Sequence, residues 1–174
     1  MDKKTKLAFF DFDGTLIATP LPDVGKGIYK NVTGNDWPHV GWWGQPLSLD
    51  TDIFDIKPIP SVVSDYKKEK SDTNTIVVML TGRMVKLSGE VKKILDQHNL
   101  HFDEYHYNRG GSTEVSKIKT METLLEKYKD VVEIQMWDDR LEHIPIFEDW
   151  GKKMCLGGRL KDFSVTVVLS ENHK

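Results

Sequence analysis

A chain of 174 residues with a net charge of −3 and a single cysteine is long enough for about one domain that buries its own core. It excludes an intrachain disulfide and a cysteine-based metal centre, and its charge argues against attachment to nucleic acid or membrane through a global basic field, though a local basic patch stays open. No apolar run reaches the length of a membrane span, the stretch 1–6 lacks the apolar segment of a secretory leader, and Cys155 as a free thiol fits a reducing compartment, so a cytoplasmic protein is expected.

The first element is an apolar strand, Leu7-Ala8-Phe9-Phe10, that runs into Asp11 and Asp13 with one residue between them. Residues two apart on a strand share a face, so both carboxylates are delivered together at the carboxyl end. Unpaired charges leaving water cost several kcal/mol each by rough estimate. A cation or a reaction therefore explains the pair better than the alternative, a strand that simply ends in a polar turn. Gly14 then lets the backbone turn sharply and approach a ligand closely.

Residues 17–57 read as a long irregular insert rich in Pro, Gly, Asp and aromatics, including Trp37, Trp42 and Trp43. A stretch of this length without regular structure is more often a lid or binding loop than a connector. A helix is expected over 58–70, where Ile59, Val62, Val63 and Tyr66 recur at helical spacing behind a proline. The β-branched run 75–80 suits a strand buried on both faces and ends in Thr81-Gly82-Arg83. A helix over 85–99, a strand over 100–107 broken by Asn108-Arg109-Gly110-Gly111, and a helix over 116–128 follow. The strand 131–137 ends in Asp138-Asp139-Arg140, a short helix suits 141–150 despite Pro145, and a last strand covers 163–169 before a polar tail.

Strands alternating with helices imply an α/β fold with a parallel sheet covered on both faces, whose ligands bind beyond the carboxyl ends of the strands. Asp11, Asp13, Thr81, Asp138 and Asp139 all sit at such ends, so the sheet would gather them at one rim. No repeat or second domain is visible, and 1–174 reads as one domain.

The string Asp11-Phe12-Asp13-Gly14-Thr15-Leu16 resembles the first signature of the haloacid dehalogenase (HAD) superfamily, most of whose members are magnesium-dependent phosphohydrolases. That resemblance implies a three-layer Rossmann-like sheet with a small flap or cap insert after the first strand, here at about 17–57, short enough to leave the site open to larger substrates. It implies Asp11 as nucleophile and Asp13 as general acid and base. Thr81 stands where the family places a Ser or Thr, and Lys117, ahead of the stripe Ile118, Met121, Leu124 and Leu125, where it places a Lys, with Lys119 as a competitor. Gly14, Thr15, Gly82, Arg83, Trp42 and Trp43 would meet phosphate or substrate. Mg²⁺ would be held by Asp11, the main-chain oxygen of Asp13, and Asp139 or Asp138. Oxygen donors suit that ion, and no His or Cys cluster competes for a transition metal.

A narrower pattern adds Thr19-Pro20 soon after that string, Gly41-Trp42-Trp43, Leu80-Thr81-Gly82-Arg83, Phe102-Asp103, Thr113 with Lys117, and Asp138-Asp139-Arg140 followed by His143. It resembles the HAD domains of the Swiss-army-knife RNA-repair type, with Asp138 departing from the Glu expected there. The tryptophans either stack bases or pack the insert onto the body. Likewise Lys67, Lys68, Lys70, Lys152, Lys153 and Lys161 either track a phosphate backbone or are a solvated face. The expected function is a phosphatase on nucleic-acid ends. A phosphatase of nucleotides or other small phosphomonoesters, and a non-catalytic binding module on the same fold, are the alternatives.

Overall fold

The computed structural model describes residues 3–169. Met1, Asp2 and the tail at 170–174 lie outside the described residues. Five strands, β1 (Lys6–Phe10), β2 (Thr75–Met84), β3 (Glu104–Asn108), β4 (Glu133–Asp138) and β5 (Asp162–Val167), form one parallel sheet in the order β3-β2-β1-β4-β5. The helices are α1 (Pro22–Thr33), α2 (Pro60–Ser71), α3 (Ser88–Gln97), α4 (Thr113–Lys127) and α5 (Ile144–Leu156).

The continuous apolar runs of β1 and β2 are explained by what covers them. Ala8, Phe10, Val77 and Met79 meet Val62 and Tyr66 of α2 and Val91, Ile94 and Leu95 of α3. On the other face Leu7, Phe9, Ile76, Val78 and Leu80 meet Met121, Leu124 and Leu125 of α4 and Phe147 and Trp150 of α5. Residues of opposite parity feed opposite layers, as the two-residue period of a strand requires. The sheet grows from β1 through β2 to β3 under α2 and α3, then restarts at β4 on the other side of β1 under α4 and α5. A fixed crossover hand dictates this change of face. The strand order reverses between β1 and β4, and the crevice outside their carboxyl ends is where α/β sheets bind ligands.

Two expectations on the elements are corrected. The segment 17–57 is not without regular structure: it holds α1 and a short 3-10 turn, Pro46–Leu49. The ends of α1 carry ordinary signals, Pro22 in the first turn and Gly34 as a left-handed cap (φ 79°) whose N–H donates to the Lys30 carbonyl. Gly25 and Gly27 inside it lower helix propensity. Gly25 is there because the Trp42 ring takes its side-chain space: an added Cβ would lie 2.0 Å from a ring carbon. The second half of the segment packs on the body, with Trp42, Leu49, Phe54 and Ile56 buried against the α2/α3 layer. The second correction concerns α5, which starts with Pro145 in its first turn, where the missing N–H costs nothing, and therefore runs on to Leu156.

Candidate active site

The carboxyl ends of β1, β2 and β4 and the first turns of α4 surround a cavity of about 470 Å³ lined by Asp11, Asp13, Gly82, Arg83, Lys117 and Asp139, with Trp43, Leu21 and Pro22 forming an apolar wall and Thr113, Arg140 and Glu142 closing the rim. This volume lies within the range of small-molecule sites.

Asp11 follows β1 directly and is buried, at 7% exposure. Its Oδ1 accepts from Lys117 Nζ at 3.0 Å and its Oδ2 from Thr15 Oγ1 at 3.1 Å. Lys117, on α4, also donates to Asp138 Oδ2 at 2.7 Å, and the other oxygen of Asp138 accepts the Arg140 amide at 3.0 Å. A lysine only 2% exposed thus bridges carboxylates from two adjacent strands. Lys119 is exposed on the outer side of the same helix. Burial pushes Asp11 well above the usual carboxylate range; Lys117 opposes this, while Asp138, Asp139 and Asp13 push it further up. For Lys117 burial alone would favour loss of the proton, but Asp11 and Asp138 outweigh it and hold the ammonium charged, above its ordinary value.

Asp13, two residues on, points its carboxylate at the same cavity and takes a bidentate contact from Arg83, with Nε 2.9 Å from Oδ2 and Nη2 2.7 Å from Oδ1. Thr19 Oγ1 donates to Oδ1 at 2.7 Å. Gly14 turns the chain with φ 71° and returns its N–H to the Ile17 carbonyl at 2.8 Å. Behind the cavity, Thr81 is 2% exposed and accepts the Arg83 amide on Oγ1 at 3.0 Å. Gly82 lies so close to α4 that a Cβ there would stand 2.6 Å from the Thr113 methyl, so a side chain at 82 would force the two walls apart.

One carboxylate oxygen from each of Asp11, Asp138 and Asp139 lies within 4.8 Å of the others, and all three residues are buried. Oxygen-only donors at that spacing fit a hard divalent cation such as Mg²⁺. Charge agrees in sign, because three carboxylates gather there around the ammonium of Lys117, with the Arg140 guanidinium also near Asp139 and Asp11. Asp138 is spent on Lys117 and the Arg140 amide, whereas Asp139 lines the cavity. Nearby, His143 Nε2 lies 3.3 Å from Glu114 Oε2, joining the starts of α5 and α4. Burial, reinforced by Arg140 and opposed by Glu114, holds His143 below its ordinary value.

The structure thus gathers Asp11, Asp13, Lys117, Asp138, Asp139, Gly82 and Arg83 at one rim. It does not bring Trp42 there. The residue is 4% exposed, wedged between Gly25 and Phe54 and tilted on Trp37 at a ring separation of 4.6 Å, so packing claims it. Trp43, its neighbour, is 39% exposed and lines the cavity. Thr15 is wholly buried and serves Asp11 rather than a ligand. Sequence reasoning gave Thr19 no role beyond its place in the family pattern and missed Ser48, which accepts from Arg83 Nη1 at 2.8 Å, since a lone hydroxyl in a loop carries no periodic signal. Thr113 had one, standing at the start of the helix that bears Lys117.

Residues 26–174 match the family described as HAD domain family 1 in Swiss Army Knife RNA repair proteins. The chain belongs to this HAD family. The uncharacterized protein YMR265C of Saccharomyces cerevisiae is 30% identical to this HAD domain over 186 residues, covering 94% of the chain and 40% of the yeast protein, so the chain spans less than half of that relative. Among solved structures, a haloacid dehalogenase-like hydrolase from Streptococcus pneumoniae superposes with a TM-score of 0.52 at 13% identity, over 92% of this chain and 94% of that one. An archaeal β-phosphoglucomutase from Pyrococcus sp. strain ST 04 does so with a TM-score of 0.56 at 14% identity, over 84% of each. These likenesses give the HAD domain a phosphatase-like, Rossmann-type α/β fold. No helix among the described residues is long and apolar enough to cross a membrane.

Proposed function

We propose that this HAD domain is a Mg²⁺-dependent phosphomonoesterase that acts through an aspartyl-phosphate on Asp11, with phosphorylated nucleic-acid ends as its substrates. The observation that carries the reading is a buried carboxylate at a cavity, held by a buried lysine, with two further carboxylates beside it. Asp11 attacks phosphorus in line while Thr15 and Lys117 fix the direction of its oxygens. Lys117 also meets the charge that spreads over the phosphoryl oxygens, and Gly82, on the cavity wall without a side chain, lets them approach the backbone. Asp13 gives a proton to the leaving oxygen and then takes one from the water that frees Asp11. Asp11, the main-chain oxygen of Asp13, and Asp139 would hold the Mg²⁺, whose charge screens the repulsion between carboxylate and phosphate; Asp138 keeps Lys117 in place.

The nucleic-acid substrate draws its support from the family's description and from Trp43, an exposed indole on the cavity wall able to stack on a base. A free nucleotide is the second reading, favoured by a cavity near 470 Å³ that suits a ligand of that size. Phosphate release from end-phosphorylated RNA and DNA oligomers and from mononucleotides, with Mg²⁺ and with EDTA, tests both. The expected result is Mg²⁺-dependent release, faster from oligomers, reduced by at least about 10³-fold in Asp11→Asn. Equal activity in that variant would refute Asp11 as the nucleophile, and a wild-type protein that releases no phosphate from any of these substrates with Mg²⁺ would leave the fold as a binding module.

A further inference from the structure

We propose that Arg83 is a positioning residue that sets the orientation of Asp13 and ties it to the Trp43–Ser48 turn, a role resting on the phosphatase reading above. A guanidinium offers five N–H donors in a rigid fork. Here Nε and Nη2 take both oxygens of Asp13, and Nη1 donates at 2.8 Å to the Trp43 carbonyl and at 2.8 Å to Ser48 Oγ. The Arg83 side chain is 1% exposed. An arginine kept for a substrate phosphate would hold its donors in reserve, and this one has committed four of five to the protein.

On the other side, Asp13 offers roughly four lone-pair sites. Arg83 and Thr19 fill three of them, which leaves one, on Oδ2, for the proton that must pass to a leaving group. Arg83 therefore chooses the point at which the acid acts. The choice is tied to the substrate wall. Ser48, wholly buried, donates to the Gln45 carbonyl at 2.7 Å and turns its oxygen to Arg83. The Arg83 guanidinium also lies over the Trp43 ring, 5.0 Å from its centre, so the residue that aims Asp13 is packed against the cavity wall.

The test uses leaving groups. Departure of p-nitrophenolate needs little protonation, whereas an alkoxide leaves only with a proton, so kcat/KM for p-nitrophenyl phosphate and for an alkyl phosphate respond differently to a misaimed acid. In Arg83→Gln the ratio of alkyl to aryl kcat/KM should fall by about 10²-fold, the lower bound for general-acid catalysis. Arg83→Lys should fail to restore it, because an ammonium cannot make the fork. Ser48→Ala, which touches Arg83 but not Asp13, should lower the ratio in the same direction and by less, with thermal melting confirming that each variant is folded. If Arg83→Gln does not fold, Ser48→Ala decides. Parallel losses on both substrates, carried by KM, would overturn the inference and leave the phosphatase reading intact. A wild-type protein that hydrolyses neither of these, nor end-phosphorylated RNA and DNA oligomers, nor mononucleotides with Mg²⁺ present would overturn both.

Discussion

Lys117 carries its ammonium between Asp11 of one strand end and Asp138 of the next, at 3.0 and 2.7 Å, in a space almost closed to solvent. Breaking a buried pair of this kind leaves charges without compensation and costs about 3–5 kcal/mol. Lys117→Met should therefore lose stability of that order in urea unfolding with EDTA present, and Mg²⁺ should return part of the stability without returning turnover. Wild-type stability of the variant in EDTA would show that the rim is held together by something else. Residues of this kind were legible because chemistry and position coincide: two aspartates at the end of an apolar strand, and a lysine one step ahead of a helical stripe. Ser48 was not, and Thr19 stood in the family pattern without a role, since a hydroxyl acquires its meaning only from the partner the fold brings to it.

At the scale of elements, α1 and the Trp42 ring are fitted to each other through the missing side chain of Gly25. Gly25→Ala would raise helix propensity in isolation, yet here the added methyl must displace a buried indole. The net effect should be a loss of about 1–3 kcal/mol, as for other overpacked cores, read from denaturant midpoints; a gain would mean that Trp42 moves freely. The start of β3 is tied to the end of α4 in a different way. Glu104 accepts from Lys127 Nζ at 2.9 Å, from the Tyr128 hydroxyl, and lies 2.9 Å from His106 Nε2. Burial pushes the Glu104 carboxyl up, but these hydrogen bonds outweigh it and hold the group below its ordinary value. A carboxylate shifted down stabilises the fold above its unfolded value, and that contribution disappears as the pH falls through the lowered one. The stability difference between wild type and Glu104→Gln should be full near neutrality and close on acidification from about pH 5 to 3; a gap that widens in acid would contradict the sign. Strands β1 and β2 could be read from their unbroken apolar runs because both faces are covered. Helix α1 was hidden by two glycines, and the reason for Gly25 lies seventeen residues further on, in Trp42.

For the molecule as a whole, the three buried carboxylates gathered at the rim predict that a divalent cation binds the folded chain and stabilises it. Mg²⁺ at 100 times its Kd should raise the unfolding free energy by about 2.7 kcal/mol, seen as a higher Tm, and Asp139→Asn should abolish the rise. A Tm indifferent to Mg²⁺ would argue against the carboxylate site. The layered α/β architecture was legible from strand and helix alternation, and the common rim followed from strands running parallel. The spatial order β3-β2-β1-β4-β5 was not, since neighbours in a sheet are chosen by side chains far apart along the chain.

That order has a consequence for biosynthesis. Because β1 is flanked by β2 and β4, one of its edges waits unpaired until residues 133–138 have left the ribosome. The lysine that balances Asp11 lies 106 positions later in the chain. A nascent chain paused before that point exposes a bare hydrophobic strand edge, the kind of template on which chains stick to one another. Chains truncated before residue 133 should thus clump, seen as loss from the supernatant on sedimentation, rather than stay dispersed.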